Sequence, residues 1–225
     1  PPAPPPTLSA PPSRPGPAPR THSYEPTNSK EANMTNIVIV GVGALGSHVV
    51  QFLRSVPDVA ITVVDFDRVE QKNTLSQFHP RQSVGRSKVL AIQQTMSFLF
   101  GKKLQTVPHR LTADNVEVVL GVADLIVDCL DNAEARQLVQ RFARRHEVPC
   151  LHGALAADGS FGRVVWDADF EADAEPTSGA ATCEDGEHLP FIVACAAYLA
   201  LAIQRHLDGG EQVGFSLHPG GTLTT

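Results

Sequence analysis

The sequence lacks the features that mark several large classes of protein. Its 225 residues include only four cysteines, and no two of them form a CxxC pair, so we expect no structural zinc site. Cys129 and Cys195 lie in apolar runs, and we interpret both as buried thiols of a protein in a reducing, cytosolic compartment. Disulfide bonds stay open as an alternative at this point.

An excess of positive charge and a long apolar run are also missing. The net charge of −6 disfavours a nucleic-acid partner, because a protein that binds phosphate backbones needs a cationic face. The longest apolar run, Leu189–Ile203, is interrupted by Pro190 and falls short of the ~20 residues that cross a bilayer. No signal peptide opens the chain. We therefore expect a cytoplasmic protein without a membrane partner.

Residues 1–33 have a composition of their own. Ten of the first 20 residues are proline, and the segment has no apolar period. Such a segment cannot bury enough apolar surface to offset the entropy lost on ordering. We predict a proline-rich disordered tail or linker over 1–33 and one folded domain over 34–225.

The folded part alternates short apolar runs with helical patterns. Strands are predicted at 36–41, 60–65, 104–111, 123–131, 148–155, 160–166 and 212–217, and helices at 44–55, 88–100, 116–120, 133–146 and 191–207. This alternation predicts an α/β, Rossmann-like fold, with a mainly parallel sheet and helices on both faces. The last strands follow one another without helices, so we expect some antiparallel strands near the C-terminus.

A glycine-rich turn joins the first strand to the first helix. Gly41, Gly43 and Gly46 form a GxGxxG pattern, and Asp65 ends the next strand 24 residues after Gly41. In this context the glycines allow a tight turn, close approach of phosphate and close helix packing. Free N–H groups at the helix start attract an anion, and the acid can bind ribose hydroxyls. The pattern predicts nucleotide binding but does not separate NAD from ATP.

The polar stretch after the second strand favours ATP. The side chains that follow Asp65 are unusually rich in acids and amides and lead to a lysine at a helix start: Asp67, Glu70, Asn73, Gln77 and Lys88. Farther on, Asp128 and Asp131 end the strongest strand, where two acids are suited to hold Mg²⁺. Magnesium is nearly obligatory with ATP and has little use in nicotinamide chemistry. A helix N-cap is the alternative role for Asp131, and Asn132 can fill that role instead.

These motifs together resemble a known family. GVGALGSH, VVDFDRVEQKN, VGRSKV and VDCLDN are similar to the ThiF/MoeB/HesA family, whose fold is that of ubiquitin-activating (E1-like) enzymes. The resemblance covers about residues 36 to 217. It implies an enzyme that uses ATP and Mg²⁺ to adenylate the C-terminal glycine carboxylate of a ubiquitin-like or sulfur-carrier protein. It also implies a homodimer or a heteromeric partner.

The resemblance assigns expected roles to individual residues. Gly43 and Asp65 would hold the nucleotide, with Asp65 on the ribose. Asn73 and Lys88 would meet the phosphates, and Asp131 would bind the metal or a phosphate-bound water. The candidate catalytic residues are Lys88, Asp131 and Cys183, and the candidate metal ligand is Asp131. The candidate cofactor-binding residues are Gly41, Gly43, Gly46, Asp65, Asp67, Asn73, Gln77, Lys88 and Asn132.

Two positions leave the chemistry open. Ser76 occupies the place where the family usually has an arginine, and serine supplies no positive charge. Cys183 lies in a long acidic loop and resembles the cysteine that some family members use to receive the activated carrier; an incidental loop cysteine is the alternative.

The reaction itself needs no general base, because the attacking carboxylate is already ionised. We therefore expect no His–Asp dyad, and structural or surface roles for His48, His79, His109, His146 and His152.

Three other functions remain possible from the sequence. One is an E1-like subunit that binds ATP and a partner protein but catalyses weakly because of Ser76. Another is an ATP-dependent enzyme of the same fold that acts on a small molecule or an RNA carboxylate. The last is an NAD oxidoreductase, which Lys88 and the Asp131–Asn132 pair disfavour.

Overall fold

The computed structural model describes residues 34–156, 158–171 and 186–224, so the predicted tail at 1–33 lies outside the described residues. Within these ranges the strands are β1 Thr35–Val40, β2 Val59–Val64, β3 Gln105–Val107, β4 Leu125–Asp128, β5 Cys150–Leu155, β6 Gly162–Trp166, β7 Phe215–His218 and β8 Gly221–Thr224. The helices are α1 Ala44–Phe52, α2 Lys88–Phe100, α3 Val116–Leu120, α4 Ala133–His146 and α5 Leu189–Leu207.

The described strands form one sheet in the order β3-β2-β1-β4-β5-β6-β7-β8. The first five strands in this order are parallel, and β5 to β8 pair antiparallel. The predicted α/β, Rossmann-like fold with antiparallel strands near the C-terminus is confirmed. Because β1 lies between β2 and β4, the chain reverses its direction of winding at β1, where a crevice for a ligand opens in folds of this kind.

Side chains of the central strands alternate between two hydrophobic layers, as the period of a strand requires. Ile37 and Ile39 face the layer that is covered by α1, α2 and α5, whereas Val38 and Val40 face the layer under α3 and α4. All four side chains are at most 1% exposed. Burial on both faces explains why β1 reads as a continuous apolar run.

Helix α5 is longer than the sequence predicted. It begins at Leu189 because Pro190 stands in its first turn, where a missing N–H costs no hydrogen bond. By length and composition its 19 residues could cross a membrane, so the expectation that this segment is too short to span is wrong. Ile192, Leu199 and Ile203 are nevertheless fully buried beside α1 and the sheet, which is the packing of a core helix.

The last strand, β8, was missed by the sequence reasoning. Its four residues are all exposed, so the sequence shows no alternation of apolar and polar side chains there. Pro219 and Gly220 instead make a tight turn, and His218 pairs with Gly221 across the hairpin.

Candidate functional site

The predicted site residues leave neighbouring strands at one edge of the sheet. The glycine turn follows β1, Asp65 follows β2, and Asp131 follows β4. These three strands are adjacent and parallel, so their carboxyl ends lie side by side. The fold thus brings the separate motifs to the crevice next to β1.

The three glycines of the turn meet different surroundings. Gly41 has φ +90°, and a Cβ there would lie 2.8 Å from the Cys129 carbonyl oxygen. A Cβ on Gly46 would lie 1.9 Å from the Gly41 carbonyl oxygen, so α1 packs directly on the turn. At Gly43 the nearest atom to a Cβ is 3.9 Å away, on Gln77. The fold therefore requires glycine at positions 41 and 46, whereas Gly43 leaves open space at the start of α1.

Asp65 braces the glycine turn from the end of β2. Its Oδ2 accepts a hydrogen bond from the Val42 N–H at 2.9 Å, and its Oδ1 accepts one from the Asp67 N–H at 2.8 Å. Burial raises the pKa of Asp65, while the positive charge of Lys88 opposes that rise. A carboxylate has about four lone-pair sites, so this brace leaves capacity for the ribose contact, which stays a prediction.

Lys88 and Asp67 form an ion pair within the site. The Lys88 Nζ lies 3.0 Å from Asp67 Oδ2, and the Lys88 N–H donates to the Asp67 carbonyl at 2.9 Å. Lys88 is only 7% exposed although it is the first residue of α2. A buried ammonium group is thus fixed at the site before any ligand binds.

The turn after β2 packs onto α1 through polar contacts. Asn73 is buried, and its Oδ1 accepts from the Glu70 N–H at 2.8 Å. Gln77 is also buried, and its Oε1 has no hydrogen-bond partner among the described residues. Ser76 is 1% exposed, and its carbonyl accepts from His48 Nε2 at 3.0 Å. The amide nitrogen of Gln77 lies next to Gly43, while the phosphate contacts of Asn73 and Lys88 stay a prediction.

His79 holds the glycine turn from the other side. Its Nε2 donates to the Val42 carbonyl at 2.8 Å, and the side chain is 3% exposed. The pKa of His79 is lowered to about 4, chiefly by burial and also by the charges of Lys88 and His48, while the bond to Val42 opposes the shift. The imidazole is therefore neutral at pH 7 and fills the structural role that the sequence predicted.

We expect the pH dependence of stability to reflect His79. Between pH 6.5, the ordinary pKa, and about pH 4, the unfolded chain binds a proton that the folded chain does not bind. The free energy of unfolding should therefore fall with decreasing pH across this window, by up to about 1.4 kcal/mol per pH unit. His79→Gln keeps an N–H that can donate to the Val42 carbonyl. In this variant the unfolding free energy, measured by urea unfolding at several pH values, should decrease less steeply as the pH falls. His109→Gln, at an exposed histidine, should leave the slope unchanged, and equal slopes in wild type and His79→Gln would contradict the assignment.

The acids at the end of β4 have different surroundings. Asp131 is exposed, and Asn132 caps α4 by accepting from the Ala135 N–H at 3.0 Å. Asp128, in contrast, is fully buried, and its Oδ1 accepts from the Leu130 N–H at 2.9 Å. The expectation that Asp128 joins Asp131 at a magnesium site is wrong, because its carboxylate is turned into the protein and already bonded.

The expectation of no His–Asp dyad is also wrong. His152 Nδ1 lies 2.8 Å from Asp128 Oδ2, and its Nε2 lies 3.2 Å from Asp167 Oδ1. The ring stacks on Phe170 with centroids 3.8 Å apart. Asp128 and His152 face each other because β4 and β5 pair in that register, which no local pattern in the sequence reveals. The side chains of His152 and Asp128 have no exposed surface, so we interpret the dyad as a structural one.

Arg136 is a further residue that the sequence reasoning missed. Its guanidinium donates to the carbonyls of Leu130 and Gly153, the latter at 2.5 Å, and lies 3.4 Å from Asp128 Oδ2. Asp128 thus binds the Leu130 N–H, and Arg136 binds the Leu130 carbonyl. These hydrogen bonds fix the position of the loop that carries Asp131.

The described cysteines lie in surroundings that disfavour the thiolate form. Cys129, Cys150 and Cys195 are free thiols. Burial raises the pKa of Cys195 to about 12 and raises the pKa of Cys129 and Cys150 well above the ordinary range. Cys195 is buried as predicted, whereas Cys129 is half-buried. Cys183, the candidate catalytic thiol, lies outside the described residues, which resume at Gly186.

A glycine turn that opens a helix at the switch point of a parallel sheet, followed by an acid on the next strand, defines a nucleotide-binding α/β protein. The chain belongs to the ThiF family, whose model matches residues 21–213. The resemblance drawn from the sequence motifs is thereby confirmed.

Curated relatives match parts of the chain. A sulfur carrier protein adenylyltransferase of Thermus thermophilus is 33% identical over 132 residues, which are 58% of this chain and 49% of the relative. The SAMP-activating enzyme E1 of Haloferax volcanii is 32% identical over 126 residues, 54% of this chain and 46% of the relative. The chain thus spans about half the length of these relatives.

A solved structure of Escherichia coli MccB with MccA-N7isoASN has the same fold. It superimposes with a TM-score of 0.71 at 15% identity and covers 86% of this chain and 64% of MccB. Another structure of that protein was solved with ATP, with a TM-score of 0.67 at 15% identity, and covers 86% of this chain and 63% of that one. At this identity the likeness shows the fold alone.

Proposed function

We propose that this protein uses ATP and Mg²⁺ to adenylate the C-terminal glycine carboxylate of a ubiquitin-like or sulfur-carrier protein. The observation that carries the proposal is the shared edge of β1, β2 and β4, where the glycine turn, the Lys88–Asp67 pair and Asp131 leave the sheet together. Relatives named as adenylyltransferases of sulfur carriers and as an E1 enzyme support it.

The chemistry explains the residues of the site. The ionised carboxylate of the carrier attacks the α-phosphate of ATP, an acyl–phosphate bond forms, and pyrophosphate leaves. The obstacle is the approach of one anion to another, so catalysis rests on positioning and on neutralising charge. Lys88 supplies a fixed positive charge, and the start of α1 supplies free N–H groups.

A magnesium ion fits the donors at this edge. Among the described residues no three His, Cys, Asp or Glu side chains cluster as ligands. Magnesium bound with a nucleotide commonly takes only one or two carboxylates and completes its shell with phosphate oxygens and water. We propose that the exposed Asp131 is the carboxylate ligand, and the ion would neutralise phosphate charge.

Exchange of labelled pyrophosphate into ATP tests the proposed reaction. We expect exchange that depends on a carrier ending in glycine and disappears when its last glycine is deleted. Binding of ATP without exchange in the presence of several carriers would reject the proposal. A small carboxylic acid that supports exchange as well as the carriers would favour the alternative small-molecule enzyme.

The glycine turn gives a test with a matched pair of variants. Gly43→Ala should keep the fold, with a change in unfolding free energy below about 1 kcal/mol, because its Cβ meets no atom within 3.9 Å. It should nevertheless weaken ATP binding, since the methyl group occupies the space where phosphate approaches. Gly46→Ala should destabilise the protein by roughly 1–3 kcal/mol or more, because its Cβ would overlap the Gly41 carbonyl. Thermal melting and calorimetric titration with ATP measure both effects, and unchanged ATP affinity in Gly43→Ala would contradict the proposed phosphate site.

The second candidate function is an E1-like subunit that binds ATP and a partner protein but catalyses weakly. The observation that favours it is Ser76, a neutral and buried residue at the position where the family usually has an arginine. Arg86 is a cation close downstream of Ser76, yet its guanidinium donates to Gln94 on α2. Carrier-dependent exchange that appears only after a second subunit is added would favour this candidate.

Several finer parts of the proposal rest on the sequence. We propose that Cys183 receives the activated carrier. A covalent adduct between the protein and the carrier that reducing agents cleave, and that is absent in Cys183→Ala, would support this role. We also propose a cytoplasmic protein that acts as a homodimer or with a heteromeric partner, with 34–225 as the adenylation domain and 1–33 as a tail or linker. Light scattering of the purified protein, alone and with carrier, tests the assembly.

A further inference from the structure

An exposed aromatic ring and a guanidinium form a stack beside the site. The Arg110 guanidinium carbon lies 3.9 Å from the centroid of the Phe66 ring. Phe66 keeps 46% of its surface exposed although one face is covered, and Arg110 is exposed as well. A large ring held in this way at the surface contributes little to the core and leaves a flat face open.

The stack lies next to Asp65 on the side away from the glycine turn. The Asp65 N–H donates to the Val107 carbonyl at the end of β3, while its carboxylate accepts from Val42 on the turn after β1. Phe66 directly follows Asp65, and Arg110 follows β3 by three residues. Along the edge from β4 to β3, the order is therefore Asp131, the glycine turn, Asp65 and the Phe66–Arg110 stack.

A nucleoside triphosphate has the same linear order of parts. If the phosphates lie at the start of α1 and the ribose at Asp65, the base must point toward β3. We propose that Phe66 and Arg110 form the stacking surface for the base of the bound nucleotide, an inference that rests on the proposed use of ATP. Stacking on a ring or a guanidinium plane accepts any base, so the stack adds affinity without distinguishing adenine from guanine.

The protein contains a matched control for this stack. Arg54 lies 5.0 Å from the centroid of the Phe100 ring, and Phe100 is 41% exposed. Arg54 follows α1 and Phe100 ends α2, and both helices begin at the site edge. The control pair therefore has the same chemistry at the opposite edge of the sheet, away from any nucleotide.

Calorimetric titration with ATP and with tripolyphosphate, which has no base or ribose, tests the inference. Phe66→Ala should weaken ATP binding by about tenfold, the usual effect of removing one stacking ring, and leave tripolyphosphate binding unchanged. Phe66→Trp should retain ATP affinity, and Phe100→Ala should match wild type for both ligands. Similar melting temperatures of the two alanine variants would show that folding is intact.

Other outcomes separate this inference from the proposed adenylation. Unchanged ATP affinity in Phe66→Ala, or an equal loss for ATP and tripolyphosphate, overturns the stacking surface even if carrier-dependent exchange is active. A loss of tripolyphosphate affinity in Arg110→Ala overturns the role of Arg110, because it would then be a phosphate ligand. A selective loss of ATP affinity in Phe66→Ala supports the inference even if no carrier promotes exchange.

Discussion

Replacing Lys88 with alanine is expected to lower carrier-dependent pyrophosphate exchange by about 100- to 1,000-fold, the usual cost of removing one preorganised donor to a developing charge. The ammonium group is buried at the start of α2 and held 3.0 Å from Asp67. It is therefore in position before ATP binds, and no reorganisation is needed during the reaction. Initial exchange rates at saturating carrier measure the effect.

The loss should not come from unfolding. The side chain of Asp67 is 48% exposed, so water can solvate it when Lys88 is removed. Lys103→Ala changes an exposed lysine just beyond the far end of α2 and should keep full activity and stability. Exchange within a factor of two of wild type in Lys88→Ala would show that Lys88 is not part of the catalytic machinery.

Asp131→Ala is expected to abolish magnesium-dependent exchange, with a loss of about 1,000-fold or more, because a bound metal contributes several kcal/mol of charge stabilisation. Asp131 is exposed at the end of β4, and α4 keeps its cap from Asn132. The fold should therefore be unaffected. Exchange measured over a range of Mg²⁺ concentrations should show a much higher half-saturating concentration in any residual activity.

Glu134→Ala is the control for Asp131. Glu134 is also an exposed carboxylate and lies in the first turn of α4, so it tests whether loss of any negative charge near this edge has the same effect. It should leave the Mg²⁺ dependence unchanged. If Asp131→Ala keeps the activity and the Mg²⁺ dependence of wild type, the metal assignment is wrong.

Local signals in the sequence were enough to predict several helices to the residue. Helix α2 ends before Gly101, which adopts a left-handed conformation with φ +64°. Helix α4 begins after Asn132, whose side chain caps it. The glycine turn was predictable for the same reason, because the steric needs of a turn fall within a few residues.

Long-range pairing was not predictable in this way. Asp128 and Asp131 look equivalent in the sequence, yet one is buried and the other exposed. Their difference depends on the register between β4 and β5, which sets His152 opposite Asp128. The Phe66–Arg110 stack likewise depends on β2 and β3 being neighbours. Contacts of this kind appear only when the strand order is known.

The proposed reaction joins AMP to the C-terminal glycine of a carrier protein. Intact-mass spectrometry of a purified carrier, after incubation with the protein, ATP and Mg²⁺, tests this claim most directly. We predict a carrier species heavier by one AMP that forms much more slowly with Lys88→Ala and is absent with a carrier lacking its last glycine. A carrier that stays unmodified across sulfur-carrier and ubiquitin-like candidates, while the protein binds ATP, would contradict the claim.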